Sequence, residues 1–340
     1  MKAFVFERTG DPNDVLAVRE LPQPEPGPGE VLVRVLLSPA HPSDMHIMRG
    51  RFGRQPALPA SPGIECVGVV EALGSGVAGP APGTRVVLLN VWGSWRELIV
   101  SPAERVIPVP GDLSDEDAAQ ALVNPVTAWV MTLVEHGLKP GDWLLQTAAG
   151  STVGRLVLQL ARMEHFHTVN IVRRRAQVPD IKALGGEVVI TSEDNDWGAQ
   201  LAAASQGKAV SRAIDCVAGR TGAIVARHLA PGGRMLVYGA LSSHRQTNPS
   251  AFETPVFAPS LIYNAAAVQG WYLLHWLEIT PLADCGAIFA KVLDRLTSGA
   301  LRLPPAKRHL PQNITDALRD ADGAPREGKP LLDLSGWAAS

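Results

Sequence analysis

The sequence predicts an α/β protein in which a doubly wound parallel sheet accompanies a second, mainly β domain. Three observations carry that expectation. The run from Gly141 to Arg175 reads as strand, small-residue turn, helix and strand; β and α segments then keep alternating as far as Tyr238; and short β-branched runs between Pro- and Gly-rich turns fill the chain up to about residue 110.

In the N-terminal part, Val31 to Leu37, Val67 to Ala72, Arg85 to Leu89 and Glu97 to Val100 are the clearest strands. Pro22, Pro24, Pro26 and Pro28 make a stiff connection, and Gly74-Ser75-Gly76 and Pro80-Ala81-Pro82-Gly83 are turns. A helix is expected near Ser114, with Ser114 as N-cap and Asp117 as its acidic partner. A helical pattern follows from Ala118 to Val134, interrupted at Asn124-Pro125.

Trp143 to Gln146 is a short apolar run suited to a buried parallel strand. Val153, Leu156, Val157, Leu160 and Ala161 recur at helical spacing, and Val169, Ile171 and Val172 make the next strand. Helices are expected around Gln177 to Leu184, Trp197 to Ala204 and Ala223 to Leu229, with strands at Glu187 to Ile190, Ala213 to Val217 and Met235 to Tyr238. From about residue 265 the pattern changes, and the chain is expected to return to the first domain, whose strands are too few to close without it.

Composition excludes several functions. A net charge of −2 argues against a general nucleic-acid binder. No apolar run approaches the roughly 20 residues needed to span a bilayer, and the N-terminus carries no apolar signal core, so a cytoplasmic protein is expected. Cys66, Cys216 and Cys285 are too few and too far apart for a disulfide framework or a four-thiolate zinc site.

The turn from Ala149 through Gly150, Ser151, Thr152 and Val153 to Gly154 opens a helix, where unpaired backbone amides can take up a pyrophosphate. The three glycine positions of the dinucleotide fingerprint hold Ala149, Ser151 and Gly154, all small. A tight turn without a ligand would have the same residues. At the end of the second strand, where a fold selective for NAD places an acid for the ribose hydroxyl, stand Arg173, Arg174 and Arg175. Guanidinium groups fork onto phosphate, so the cofactor expected is NADP(H), although a solvated basic strand end would carry the same residues. The Tyr238-Gly239 junction lies at the carboxyl end of a strand, where such sheets bind ligands.

Motifs along nearly the whole chain resemble the medium-chain dehydrogenases/reductases: Pro28 to Val33, His41-Pro42-Ser43-Asp44, Pro62-Gly63-Ile64-Glu65, Pro82 to Val86, the Ala149 to Gly154 loop, and Gly328-Lys329-Pro330-Leu331-Leu332. Trp92 to Arg96, Asn124 to Ala128 and Val172 to Arg175 resemble the zinc-free enoyl thioester reductases and the related quinone oxidoreductases. The resemblance implies a Rossmann domain at 118–264 and a GroES-like domain formed by 1–117 and 265–340. It implies an NADPH-dependent reductase of an activated carbon–carbon double bond, with quinone reduction as the alternative and a nucleotide-binding protein without turnover as a third reading. Homodimers are implied as well.

The zinc enzymes of that superfamily use a Cys and a His as catalytic ligands; here His41 stands in the region of the first and Ile64 replaces the second, so no metal is expected. The enoyl reductases have a Tyr where this chain has Phe52, and an Asn where it has His41. Phe52 has no proton to give. His41 is either the substitute acid or a structural histidine bonded to backbone. By resemblance Trp95, Asn124 and Thr127 belong around nicotinamide and substrate, with core packing open for Trp95 and helix termination for Asn124. Tyr263, Trp271 and Tyr272 line the substrate pocket, the core or a dimer surface.

Overall fold

The β-branched runs form strands in the computed structural model, which describes residues 1–205, 210–246, 248–323 and 328–337. In order they are β1 (Lys2–Phe6), β2 (Leu16–Glu20), β3 (Glu30–Pro39), β4 (Val67–Leu73), β5 (Arg85–Leu88), β6 (Leu98–Pro102), β7 (Val106–Pro108), β8 (Trp143–Gln146), β9 (His167–Val172), β10 (Val188–Thr191), β11 (Arg212–Asp215), β12 (Arg234–Val237), β13 (Ala267–Gly270), β14 (Ala306–His309) and β15 (Lys329–Asp333). The chain divides into two units, residues 1–123 with 286–340 and residues 124–285.

In the first unit a seven-stranded sheet runs β14-β15-β3-β4-β5-β7, with β6 also on β3, and β1 pairs β2 apart from it. Val31, Val33, Val35 and Leu37 of β3 turn into its core with Phe4, Phe6 and Trp95, all buried. The C-terminal return does supply the missing strands, since β15 lies antiparallel to β3. The first helices here are α1 (Pro12–Val15), α2 (Pro42–Met48) and α3 (Asp115–Ala119). The cap expected for α3 forms: Ser114 Oγ accepts from the Asp117 amide at 3.1 Å. His41 is the N-cap of α2, and Pro42 occupies the first helical position, where its missing N–H costs nothing.

Chain order continues with α4 (Val123–Trp129), α5 (Thr152–Glu164), α6 (Val178–Ala183), α7 (Trp197–Ser205), α8 (Gly219–Arg227), α9 (Ala258–Tyr263), α10 (Leu273–Ile279), α11 (Leu282–Thr297) and α12 (Ile314–Asp322). Asn124-Pro125 does not interrupt a helix; it opens α4, in whose first turn Pro is tolerated. In the second unit six strands, all parallel, run β10-β9-β8-β11-β12-β13. One core, including Val169, Ile190, Leu201, Ala213, Val225 and Met235, joins them to α7 and α8; Ala149, Leu158, Val172 and Ile181 form another. The division at 285/286 differs from the one expected at 264/265, because Ala267–Gly270 pairs with β12 as the sixth strand of this sheet. The earlier boundary falls at 123/124 and not 117/118, since α3 stays with the first unit.

Ala218, which precedes α8, has φ 59° and ψ −157°, a region that only glycine occupies without strain. Its amide is held there by Asp215 Oδ2 at 3.0 Å. Ala218→Gly is expected to raise the unfolding free energy by about 1 kcal/mol, strain relief outweighing the backbone entropy of glycine. A urea midpoint that falls in the variant would refute this.

Candidate functional site

The turn from β8 into α5 is built as an anion cradle. Ala149 is buried and spends its amide on Ile171 O at 3.1 Å, so it holds the turn against β9 and presents nothing outward. Ser151 caps α5, its Oγ accepting from the Gly154 amide at 3.1 Å. That leaves the amides of Gly150, Thr152 and Val153 with no acceptor among the described residues, at the positive end of a 13-residue helix. A Cβ at Gly154 would lie 2.6 Å from Ala149 O, so the turn closes only with glycine there. The Gln177 side chain lies over Gly150, where a Cβ would come within 2.6 Å of Nε2. Arg155 Nε donates to Gly150 O at 3.2 Å, adding a positive charge beside the turn.

At the end of β9 the arginine triplet is not uniform. Arg175 donates to Asp194 Oδ1 at 2.6 Å, and its amide donates to Glu193 Oε2 at 3.0 Å. Arg173 and Arg174 are exposed, and their guanidinium groups enter no ion pair among the described residues. Unpaired amides at a helix start, followed by unpaired guanidinium groups one strand away, fit a pyrophosphate and a phosphorylated ribose. At the far strand ends, Asp215 is buried and accepts from Thr147 Oγ1 at 2.6 Å; burial raises its carboxyl. Burial also pushes the Cys216 thiol up to about 12, so it is inert, and raises the phenol of Tyr238. Gly239 passes so close to Cys216 that a Cβ would meet its backbone oxygen at 3.2 Å. On α4, Asn124 is half-buried and Thr127 buried, three residues apart and so on one face.

The first unit holds a buried ionic chain that sequence reasoning did not assemble. His41 Nε2 meets Glu65 Oε2 at 2.8 Å and Lys329 Nζ meets His41 Nδ1 at 3.1 Å. An ammonium can only donate and a carboxylate only accept, so the imidazole between them is neutral with its proton on Nε2. Both ring nitrogens are thereby used, and His41 is 3% exposed. Glu65 Oε1 accepts from the amides of Leu122 and Val123 at 2.7 and 2.8 Å. Asp44 accepts from the His41 and Gly63 amides at 2.7 and 3.0 Å. Burial pulls the Lys329 ammonium down to about 8, with the Glu65 and Asp44 carboxylates pulling the other way. The same burial raises Asp44. Ile64 is buried beside this chain with no donor atom, and among the described residues no three His, Cys, Asp or Glu side chains are grouped to hold a metal ion.

The remaining candidates lie apart in role. Trp95 is fully buried, edge-on to Phe4 at 6.3 Å, with Nε1 donating to Pro39 O at 3.3 Å, which is core packing. Phe52 sits edge-on to Trp92 at 5.9 Å. Tyr263 is 82% exposed at the end of α9. Trp271 Nε1 is buried without a hydrogen-bond partner among the described residues, and Tyr272 stacks on His275. Sequence reasoning passed over Lys329, Asp44, Gln177 and Asp194. Only Asp44 had a local signal, an acid three residues after a helix cap and two after Pro42.

Residues 27–111 match the family model of the alcohol dehydrogenase GroES-like domain, and residues 152–285 match that of the zinc-binding dehydrogenases. The mitochondrial enoyl-[acyl-carrier-protein] reductase of Mus musculus is 33% identical over 323 residues, covering 94% of this chain and 84% of its own. A Bacillus thuringiensis protein assigned as an NADPH:quinone reductase superposes with a TM-score of 0.89 at 28% identity, over 98% of each chain. The Etr1p/NADP/crotonyl-CoA complex superposes at 0.82 with 24% identity, over 98% of this chain and 99% of that one, a likeness of fold. No helix among the described residues is long and apolar enough to cross a membrane.

Proposed function

Because this chain belongs to the zinc-free medium-chain dehydrogenases/reductases, among relatives of the enoyl-[acyl-carrier-protein] reductases, we propose that it is an NADPH-dependent reductase of a 2-enoyl thioester or enone. The observation that carries the reading is the pairing of three unpaired amides at the start of α5 with the unpaired guanidinium groups of Arg173 and Arg174.

The reduced nicotinamide, when bound, supplies the hydride. The amides of Gly150, Thr152 and Val153 would hold the pyrophosphate, Arg173 and Arg174 the 2′-phosphate, and Tyr238 and Gly239 would flank the nucleotide. Asn124 and Thr127 would orient the nicotinamide from one face of α4. Reduction needs a proton at the α-carbon after hydride reaches the β-carbon. His41 has no ring nitrogen left to deliver one, and Phe52 has none to give. Water is therefore the proton source, and a thioester is reduced more slowly than it would be with a positioned hydroxyl.

Phe52→Tyr is expected to raise turnover of crotonyl-type thioesters about tenfold, short of the ~10²–10⁴ that a fully positioned acid supplies, and to leave quinone turnover unchanged. NADPH oxidation with thioesters, enones and quinones measures this. Equal effects on every acceptor would remove the proton-supply argument. Quinone reduction is the second reading, favoured by the missing hydroxyl at Phe52, since a quinone is protonated on oxygen and needs no carbon acid. NADPH binding without oxidation by any acceptor would make the chain a nucleotide-binding protein instead.

A homodimer is part of the proposal. Strand β13 is an edge strand, bonded only to β12 among the described residues, and on neighbouring α9 Ile262 and Tyr263 are 67% and 82% exposed. An open strand edge beside exposed apolar side chains suits a second copy of the chain. Light scattering should give a dimer, and Ile262→Asp with Tyr263→Asp should shift it to monomer; a wild-type monomer would refute the assignment. Three buried, unpaired thiols suit a reducing compartment. The cytoplasm is the one proposed, and the mitochondria named for the relatives would serve equally.

A further inference from the structure

The three arginines closing β9 look alike in sequence and differ in surroundings. Asp194 is fixed from several sides: its amide donates to Thr191 O at 3.3 Å, its backbone oxygen accepts from the Trp197 amide at 3.3 Å, and Oδ2 accepts from Gln200 Nε2 at 3.3 Å. Its side chain is 18% exposed, whereas that of Arg175 is 76% exposed. The carboxylate is thus the fixed partner and the guanidinium the mobile one that comes to it. The Arg175 backbone is tied to the same segment, its amide donating to Glu193 Oε2 at 3.0 Å. Arg174 differs: its backbone alone is used, the amide donating to Gln177 Oε1 and the oxygen accepting from the Gln177 amide, each at 3.0 Å, so its backbone is set next to the Gly150 turn while its guanidinium enters no bond among the described residues.

We propose that Asp194 sets the nucleotide preference of this site, drawing Arg175 out of the phosphate-binding set so that Arg173 and Arg174 alone fork the 2′-phosphate. The inference rests on the NADP(H) reading above. Two effects of Asp194 act in one direction. It occupies one of three cations, and it brings a negative charge to the strand end where a phosphate anion would bind. Both oppose the phosphorylated nucleotide and leave the unphosphorylated one untouched, since only the first carries the extra anion. An exposed ion pair is weak, so the restraint is graded: it lowers the preference without abolishing it.

The test is direct titration of the full-length protein with NADPH and NADH, followed by nicotinamide fluorescence, with each variant's melting temperature recorded alongside. Asp194→Asn, which keeps an oxygen for Gln200, is expected to tighten NADPH binding three- to tenfold and shift NADH less than twofold. Arg175→Ala is expected to weaken NADPH binding less than fivefold, against more than tenfold for Arg173→Ala or Arg174→Ala. An Asp194→Asn protein with an unchanged NADPH-to-NADH ratio, or an Arg175→Ala loss as large as the other two, would overturn the proposal. Wild-type protein with no preference for NADPH would instead sink the cofactor reading, and this inference with it.

Discussion

Lys329→Met is expected to lower the unfolding free energy by about 3–5 kcal/mol, the size of effect seen when one partner of a buried ion pair is removed. Lys329 is 8% exposed, and the groups around its ammonium are His41, Glu65 and Asp44, which are 3%, 1% and 0% exposed. Methionine matches the length and volume of the lysine stem, so the loss reports electrostatics and not a cavity. With the ammonium gone, His41 Nδ1 loses its donor at 3.1 Å and two buried carboxylates face no cation. Adding Glu65→Gln should recover part of the loss by removing one stranded charge, a coupling that a double-mutant cycle reads directly. Urea unfolding at pH 7 measures it. A loss below about 1 kcal/mol, the range of an exposed pair, would show that the chain of ions is not a buried unit.

The same lysine makes a pH prediction whose sign is fixed. Its ammonium titrates at about 8 in the folded protein against 10.5 unfolded. Between those values the unfolded chain holds a proton that the folded one has released, so the stability this group contributes rises with pH through that window and does not vary with pH below it. Cys66 and Cys216, raised by burial, act in the opposite sense at alkaline pH. The effect is therefore read as wild type minus Lys329→Met, where the thiols cancel. A difference that falls from pH 8 to 10 would contradict the assignment.

The second large effect is expected at the nucleotide end. Arg173→Ala with Arg174→Ala should raise the Kd for NADPH about a hundredfold, roughly 2.7 kcal/mol, within the range for losing two charge-assisted hydrogen bonds. NADH, lacking the 2′-phosphate, should be affected less than about threefold by general electrostatics. Salt supplies an independent check, since the wild-type preference for NADPH should shrink as ionic strength rises and the double variant's should not. Equal losses for both nucleotides would mean that these side chains support the fold of the turn and do not read the phosphate.

Much of the nucleotide unit was legible because its signals are local. Apolar spacing in Leu156, Val157, Leu160 and Ala161, the small residues of the turn and the β-branched run at Val169 to Val172 each report on neighbours a few residues away, and β8, α5 and β9 fall where they predict. Strand β13 was not legible. It is four residues long, holds Gln269 and Gly270, and has a mostly exposed edge, so no apolar period marks it. The chain from Lys329 through His41 to Glu65 was invisible for another reason. Its members are 288 and 24 positions apart, and only the pairing of β15 with β3 brings the first two together. In the arginine triplet, sequence gave the charge but not the partner of each, which depends on where Asp194 lands after β10.

The division of the first unit between residues 1–123 and 286–340 also orders its biogenesis. Strand β3 takes β4 along one edge and β6 along Glu30 to Arg34 of the other while the chain is still short, but Leu37 to Pro39 on that second edge stay bare until β15, near the last residue described, is translated. The nucleotide unit is continuous in the chain and can be complete on the ribosome first. A nascent chain stalled before Lys329 should then already hold NADPH, while its other half awaits the ammonium that closes the buried charge balance.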